Sequence, residues 1–195
     1  MKSITILAAL LTLALSSCNE ETTTSVESSA NGNEGALLAI LLPTLPEGAL
    51  TITEARKNPT PGTQLVLSGK IMGNESPLVD SRAMLTLGDP TKLTSCDLNP
   101  DDPCETPWDV CCDDLDLRKA SIATIQVLDA NGKPFKTGLR GLGGLRELSS
   151  LVIVGEVAKG SNKDNFLVTA TGIHVAMAEP TKENPAPLAT PEPSE

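Results

Sequence analysis

Apolar and polar positions alternate with a period of two in five short runs between residues 64 and 175. Successive side chains of a strand point to opposite faces, so this pattern predicts half-buried β-strands. The first run, Gln64 to Ile71, puts Leu65, Leu67 and Ile71 on one face. Gly69 interrupts that face, as a glycine does where a barrel strand bends sharply. The second, Arg82 to Leu87, alternates Ala83, Leu85 and Leu87 against Arg82, Met84 and Thr86. The third, Ser121 to Asp129, sets Ala123, Ile125 and Val127 against Thr124 and Gln126. The fourth and fifth are Leu151 to Val157 and Phe166 to Val175. Turn residues stand at 130–133 and 160–164, after the third and fourth runs. Ahead of the first run, Thr53-Glu54-Ala55-Arg56 reads as a short helical turn. Thr51 or Thr53 would cap it, and Asn58-Pro59-Thr60-Pro61-Gly62 ends it. Between the third and fourth runs, Leu142, Leu145 and Leu148 recur every three residues, which suits a short helix or 3₁₀ turns.

Five strands, a glycine bend in the first and a connecting segment between the third and fourth resemble the OB-fold. The residues that carry the likeness are Leu65-Val66-Leu67-Ser68-Gly69-Lys70-Ile71, Ala83-Met84-Leu85-Thr86-Leu87-Gly88-Asp89 and Leu151-Val152-Ile153-Val154-Gly155-Glu156-Val157. The resemblance implies a mainly β domain over residues 63–178. It is a five-stranded OB-like barrel with a long Cys- and Asp-rich insertion, residues 89–120, between its second and third strands. A small β-sandwich is the alternative that the same strand count permits. Either fold says little about function.

The chain's beginning carries a different pattern. Met1-Lys2-Ser3 is followed by an apolar run from Ile4 to Leu15, too short for the roughly 20 residues that span a bilayer. This is the shape of a signal peptide, residues 1–17. Leu15-Ser16-Ser17-Cys18 resembles the bacterial lipobox. That resemblance implies lipidation of Cys18, cleavage after Ser17 and a membrane-anchored lipoprotein facing the periplasm. Asn19, rather than Asp, favours the outer membrane by likeness to the enterobacterial sorting rule. Residues 18–35 are polar after Cys18 and read as a disordered tether. Residues 36–62 form a lead-in whose apolar start, Ala36 to Leu42, predicts a short helix ended before Pro43. Residues 179–195, with five prolines, read as a disordered tail.

Charge and composition narrow the partners. A net charge of −10 repels phosphate backbones. Trp108, Phe135 and Phe166 are the only aromatics, so the core must be aliphatic and stacking platforms for single strands are missing. Nucleic acid is therefore disfavoured. The membrane is a partner through the lipid, and an unknown protein or oligosaccharide remains open. On an OB-like barrel such a partner would meet the second and third strands and the insertion above them. The candidate binding residues there are Arg82, Met84, Thr124, Gln126 and Trp108.

The densest chemistry lies in the insertion, from Cys96 through Cys104 to Cys111-Cys112. Its Thr106-Pro107-Trp108-Asp109-Val110-Cys111-Cys112 run looks like a segment of exported bacterial lipoproteins of the planctomycete type, a likeness that carries no activity. Four cysteines in an oxidising compartment predict two disulfides, with Cys111 and Cys112 each reaching back to Cys96 or Cys104. Trp108 would cover them. A thiolate metal site is the sharper reading, but structural zinc favours short Cys-x₂₋₄-Cys pairs. Here seven, six and zero residues intervene. Calcium on Asp89, Asp97, Asp101, Asp102, Glu105, Asp109, Asp113, Asp114 and Asp116 is a third reading, without the spacing of a calcium loop. The expectation is therefore of no metal and no cofactor.

No catalytic constellation emerges. The lone histidine, His174, sits in the fifth run and reads as a surface residue. Neither a nucleophile elbow nor a phosphate-binding loop is present. The function these residues imply is a lipid-anchored, non-enzymatic binding or interaction module of the cell envelope. The alternatives are a calcium- or zinc-binding domain built on the insertion, or an enzyme of the envelope.

Overall fold

A computed structural model describes residues 32–99, 101 and 103–176. The predicted signal peptide, Cys18 with most of the tether, and the tail at 179–195 lie outside these residues. The alternating runs pair into one sheet that closes on itself. Its strands are β1 (Leu50–Thr51), β2 (Gln64–Ile71), β3 (Met84–Gly88), β4 (Ile122–Gln126), β5 (Ser150–Val157) and β6 (Leu167–Ala176). The order is β1-β2-β3-β4-β6-β5, and β2 also pairs with β5. That last pairing makes β2 to β6 a closed five-stranded barrel and excludes a sandwich. All barrel pairs are antiparallel except β4 with β6, so the barrel is mixed and OB-like. The two-residue β1 lies parallel to β2 outside the ring.

The inward positions are those of the alternation. Leu67, Ile71, Leu85, Leu87, Ala123, Ile125, Ile153 and Val168 are all buried in one cluster. Each fully buried aliphatic side chain contributes roughly 1.5–3 kcal/mol of transfer free energy. Gly69 is required by close packing: a Cβ there would stand 2.6 Å from Leu87 Cγ and 2.9 Å from the Gly88 carbonyl oxygen. A side chain at 69 would push β3 away from β2.

Two strand limits differ from the sequence reading for identifiable reasons. Arg82 is exposed and belongs to the turn before β3, where its N–H donates to the Val79 carbonyl. Beyond Gln126 the chain leaves the barrel ladder. Val127 donates to Ala83 and accepts from Phe135, and Leu128 bridges Pro134. The segment before β5 holds only one 3₁₀ turn, Leu142–Gly144, and Gly141, Gly143 and Gly144 all have positive φ, which stops helix propagation.

The lead-in is part of the domain. Helix α1 includes residues 32–38, so residues 32–35 of the stretch read as tether are helical. Its Leu37 is fully buried in the barrel core. The chain then runs parallel to β6: Ile173 N–H donates to Ile40, and Leu42 N–H donates to Ile173. Helix α2 (Ile52–Ala55) is capped by Thr51, whose hydroxyl accepts from Glu54 N–H while the Glu54 carboxylate accepts from Thr51 N–H. The third helix, α3 (Leu115–Ala120), ends the insertion. No helix among the described residues is long and apolar enough to cross a membrane.

Candidate functional site

The insertion leaves and rejoins the barrel at one neck. Asp89 N–H donates to the Ser121 carbonyl at 2.9 Å, which joins the two ends of the loop. The Asp89 carboxylate is fully buried there and accepts four hydrogen bonds, from the backbone and hydroxyl of Thr53 and of Thr91. Burial alone would raise its pKa, but these bonds outweigh it and hold the carboxyl below its ordinary value. Asp89 thus ties α2 to the start of the insertion and is spent as a calcium ligand.

Above the neck a small second core seats the loop on the barrel. Met72, Leu93 and Val110 are buried together, with Trp108 and Ile122 against them. Trp108 Nε1 donates to the Glu75 carbonyl at 2.8 Å, and its own carbonyl accepts from Gly73. The predicted role of Trp108 as a lid over the cysteines is replaced by this one: it pins the insertion to the β2–β3 loop.

The loop then folds back along itself. Cys96 N–H donates to the Asp109 carbonyl at 2.9 Å and Asp97 N–H to the Pro107 carbonyl at 2.8 Å. Cys96 opens a 3₁₀ turn, Cys96–Leu98, and this pairing sets it beside Cys111. The sulfurs of Cys96 and Cys111 are 3.7 Å apart, those of Cys104 and Cys111 3.9 Å, and those of Cys111 and Cys112 4.0 Å. Among the described residues, Cys96, Cys104 and Cys111 form the group of three ligand atoms within 4.8 Å of one another. A disulfide needs about 2.05 Å between sulfurs. The two predicted disulfides among Cys96, Cys104, Cys111 and Cys112 are therefore not formed; a sulfur cluster stands in their place.

The cluster runs from buried to open. Cys96 is buried, Cys104 is half-buried and Cys111 is exposed. Burial pushes the Cys96 thiol well up, and contacts to Cys104 and Cys111 add to the rise. Cys104 moves the other way: hydrogen bonds to the Thr106 hydroxyl and backbone lower it. Cys104 thus ionises more readily than Cys96, whose buried thiolate would need a cation beside it. Lys70 flanks the Cys96 turn, donating to Ser95 at 3.2 Å and standing 3.6 Å from Asp97.

Three other acids of the insertion are occupied individually. Asp109 accepts from Val110 N–H, Asp113 from Thr94 N–H, and Asp114 caps α3 through Asp116 and Leu117 N–H. Asp102 lies outside the described residues.

Of the candidate binding residues, Met84 and Gln126 face each other across β3 and β4, and Thr124 is two positions along. Gln126 is partly spent, donating to the Thr169 hydroxyl at 3.1 Å. Arg82 and Trp108 do not join them: Arg82 lies in the preceding turn, and Trp108 in the second core. His174 is half-buried, and its Nδ1 is 2.9 Å from the Leu42 carbonyl. That contact makes it a strut for the lead-in rather than a surface residue. Comparisons of the chain with protein-family models, with curated proteins and with solved structures find no match.

Proposed function

We propose that this chain is a non-enzymatic binding module of the cell envelope, held on a membrane by acyl chains on Cys18 and facing the periplasm, whose insertion holds a thiophilic metal ion, zinc foremost. The observation that carries the metal reading is the sulfur spacing. Zinc about 2.3 Å from each of its tetrahedral thiolates sets neighbouring sulfurs ~3.8 Å apart. The separations of 3.7 and 3.9 Å match that edge. Cys112, 4.0 Å from Cys111, adjoins the group of three. A metal would also supply the cation that the buried Cys96 needs to ionise. Such an ion holds the loop in shape, and the outward face of β3 and β4 beside it is where a protein or oligosaccharide partner would sit. The charge of −10 argues against nucleic acid.

Intact native mass of the full chain, purified in detergent, tests this reading. The metal reading expects a mass raised by one metal ion and thiols that alkylate only after chelation. A metal-free mass lower by about four hydrogens than the reduced chain overturns it and makes the insertion a stapled scaffold.

A further inference from the structure

One pocket carries the opposite charge to the rest of the chain. It has a volume of about 220 Å³ and lies between α3, the start of β4 and the β5–β6 loop. Arg56, Arg118 and Lys119 line it, with Asp164 as the one carboxylate. Three cations against one anion stand out in a chain whose net charge is −10.

The two arginines are held differently. Arg56, at the end of α2, donates to the carbonyls of Ile122 at 3.0 Å and Lys163 at 2.6 Å, and lies over the Phe166 ring. Its charge rests on dipoles and a ring face rather than on a paired carboxylate. Desolvation lowers its pKa, opposed by the field of Asp164. Arg118 is less satisfied: its Nε is buried without a hydrogen-bond partner, and its Nη2 comes only to 4.0 Å from Asp109. Lys119 makes no salt bridge among the described residues. The Arg118 side chain as a whole is 27% exposed, so its guanidinium and the Lys119 ammonium can both donate to the oxygens of one anion. Leu115, Ile122 and Phe166 give the pocket an apolar wall, and Thr124 and Asn165 add polar groups.

We propose that this pocket binds a small organic oxyanion, a carboxylate or phosphate monoester, its head against Arg118 and Lys119 and its apolar body against Leu115 and Ile122. The size fits: sites for drug-sized ligands run to roughly 300–1,000 Å³, and this one is smaller. The site shares no ligand atom with the cysteine cluster and does not rest on the metal reading.

The test is a titration of the full chain with phenyl phosphate, benzoate and neutral benzyl alcohol, read from amide chemical shifts. Saturable shifts at Ile122, Thr124 and Phe166 are expected with one or both anions and not with the alcohol. Arg118→Gln and Lys119→Gln should each weaken binding about tenfold, the loss of one charge-assisted contact. Lys133→Gln, on the distant 130–133 turn, should leave it unchanged. Lys119 is exposed, so its substitution reads the site even where Arg118→Gln disturbs the fold. Shifts that fail to saturate, equal binding of the alcohol, or affinity untouched by Lys119→Gln would overturn the assignment.

Discussion

The barrel and the insertion adjoin in one chain and are held by different means. The barrel encloses one cluster of more than twenty buried apolar side chains, closed by ladders on every side. The described part of the insertion buries only Asp89, Leu93, Ser95, Cys96 and Val110, and its helix α3 buries nothing. Area fixes the first, and a few specific bonds fix the second: the Asp89 neck, the Trp108 pin and the Cys96 pairing. The barrel's stability is thus spread over many positions, whereas the insertion's shape hangs on a handful of polar atoms. Polar anchors hold well when complete and fail singly.

The comparison breaks first at the barrel. Leu67→Ala removes a fully buried side chain and should cost about 2–5 kcal/mol. The loss should appear as one cooperative shift of the urea midpoint that includes insertion probes. If the insertion melted separately and earlier in the unaltered chain, the two regions would be independent units.

Asp89→Asn probes the neck and should cost about 1–3 kcal/mol, since the amide cannot accept all four bonds. Its lowered pKa sets the pH dependence. The carboxylate's contribution is fully present above the unfolded value of about 4. It is lost as pH falls through the native value. Acid melting should therefore be steeper in the unaltered chain than in the variant, and parallel acid limbs would mean the carboxylate is not what ties α2 to the loop.

Trp108→Phe has the smallest expected effect, about 1 kcal/mol for the lost bond to the Glu75 carbonyl. Amide exchange should quicken at residues 93–111 and stay unchanged in β5 and β6. Equal quickening throughout would place Trp108 in the global core instead.

The barrel was legible because its signal is local. Alternation of period two marks a strand wherever one face is buried, and β2 begins and ends at the residues the pattern gives. The Thr51 cap was legible for the same reason, its partner Glu54 being three residues on. The sulfur cluster was not. The rule of short cysteine pairs assumes that chain neighbours deliver the ligands. Here Cys96 and Cys111 are brought together by backbone bonds between distant parts of a doubled-back loop. Two disulfides were the sequence expectation because spacing alone does not distinguish adjacency from bonding. The basic pocket was hidden by the acidic average: Arg56 and Arg118 are 62 positions apart and meet only because the neck folds α3 next to α2. Leu37 shows the same limit, since nothing in a short apolar run says which cavity it fills.

The path of the lead-in along β6 also governs how the domain answers a pull. The bonds of residues 40 and 42 to Ile173 lie across the chain direction, so tension from the N-terminal side loads them together, in shear rather than one at a time. Before that tension reaches them, α1 must be drawn out and Leu37 withdrawn from its seat in the core. The barrel therefore has a mechanical fuse ahead of its first strand, one that yields before the wall does.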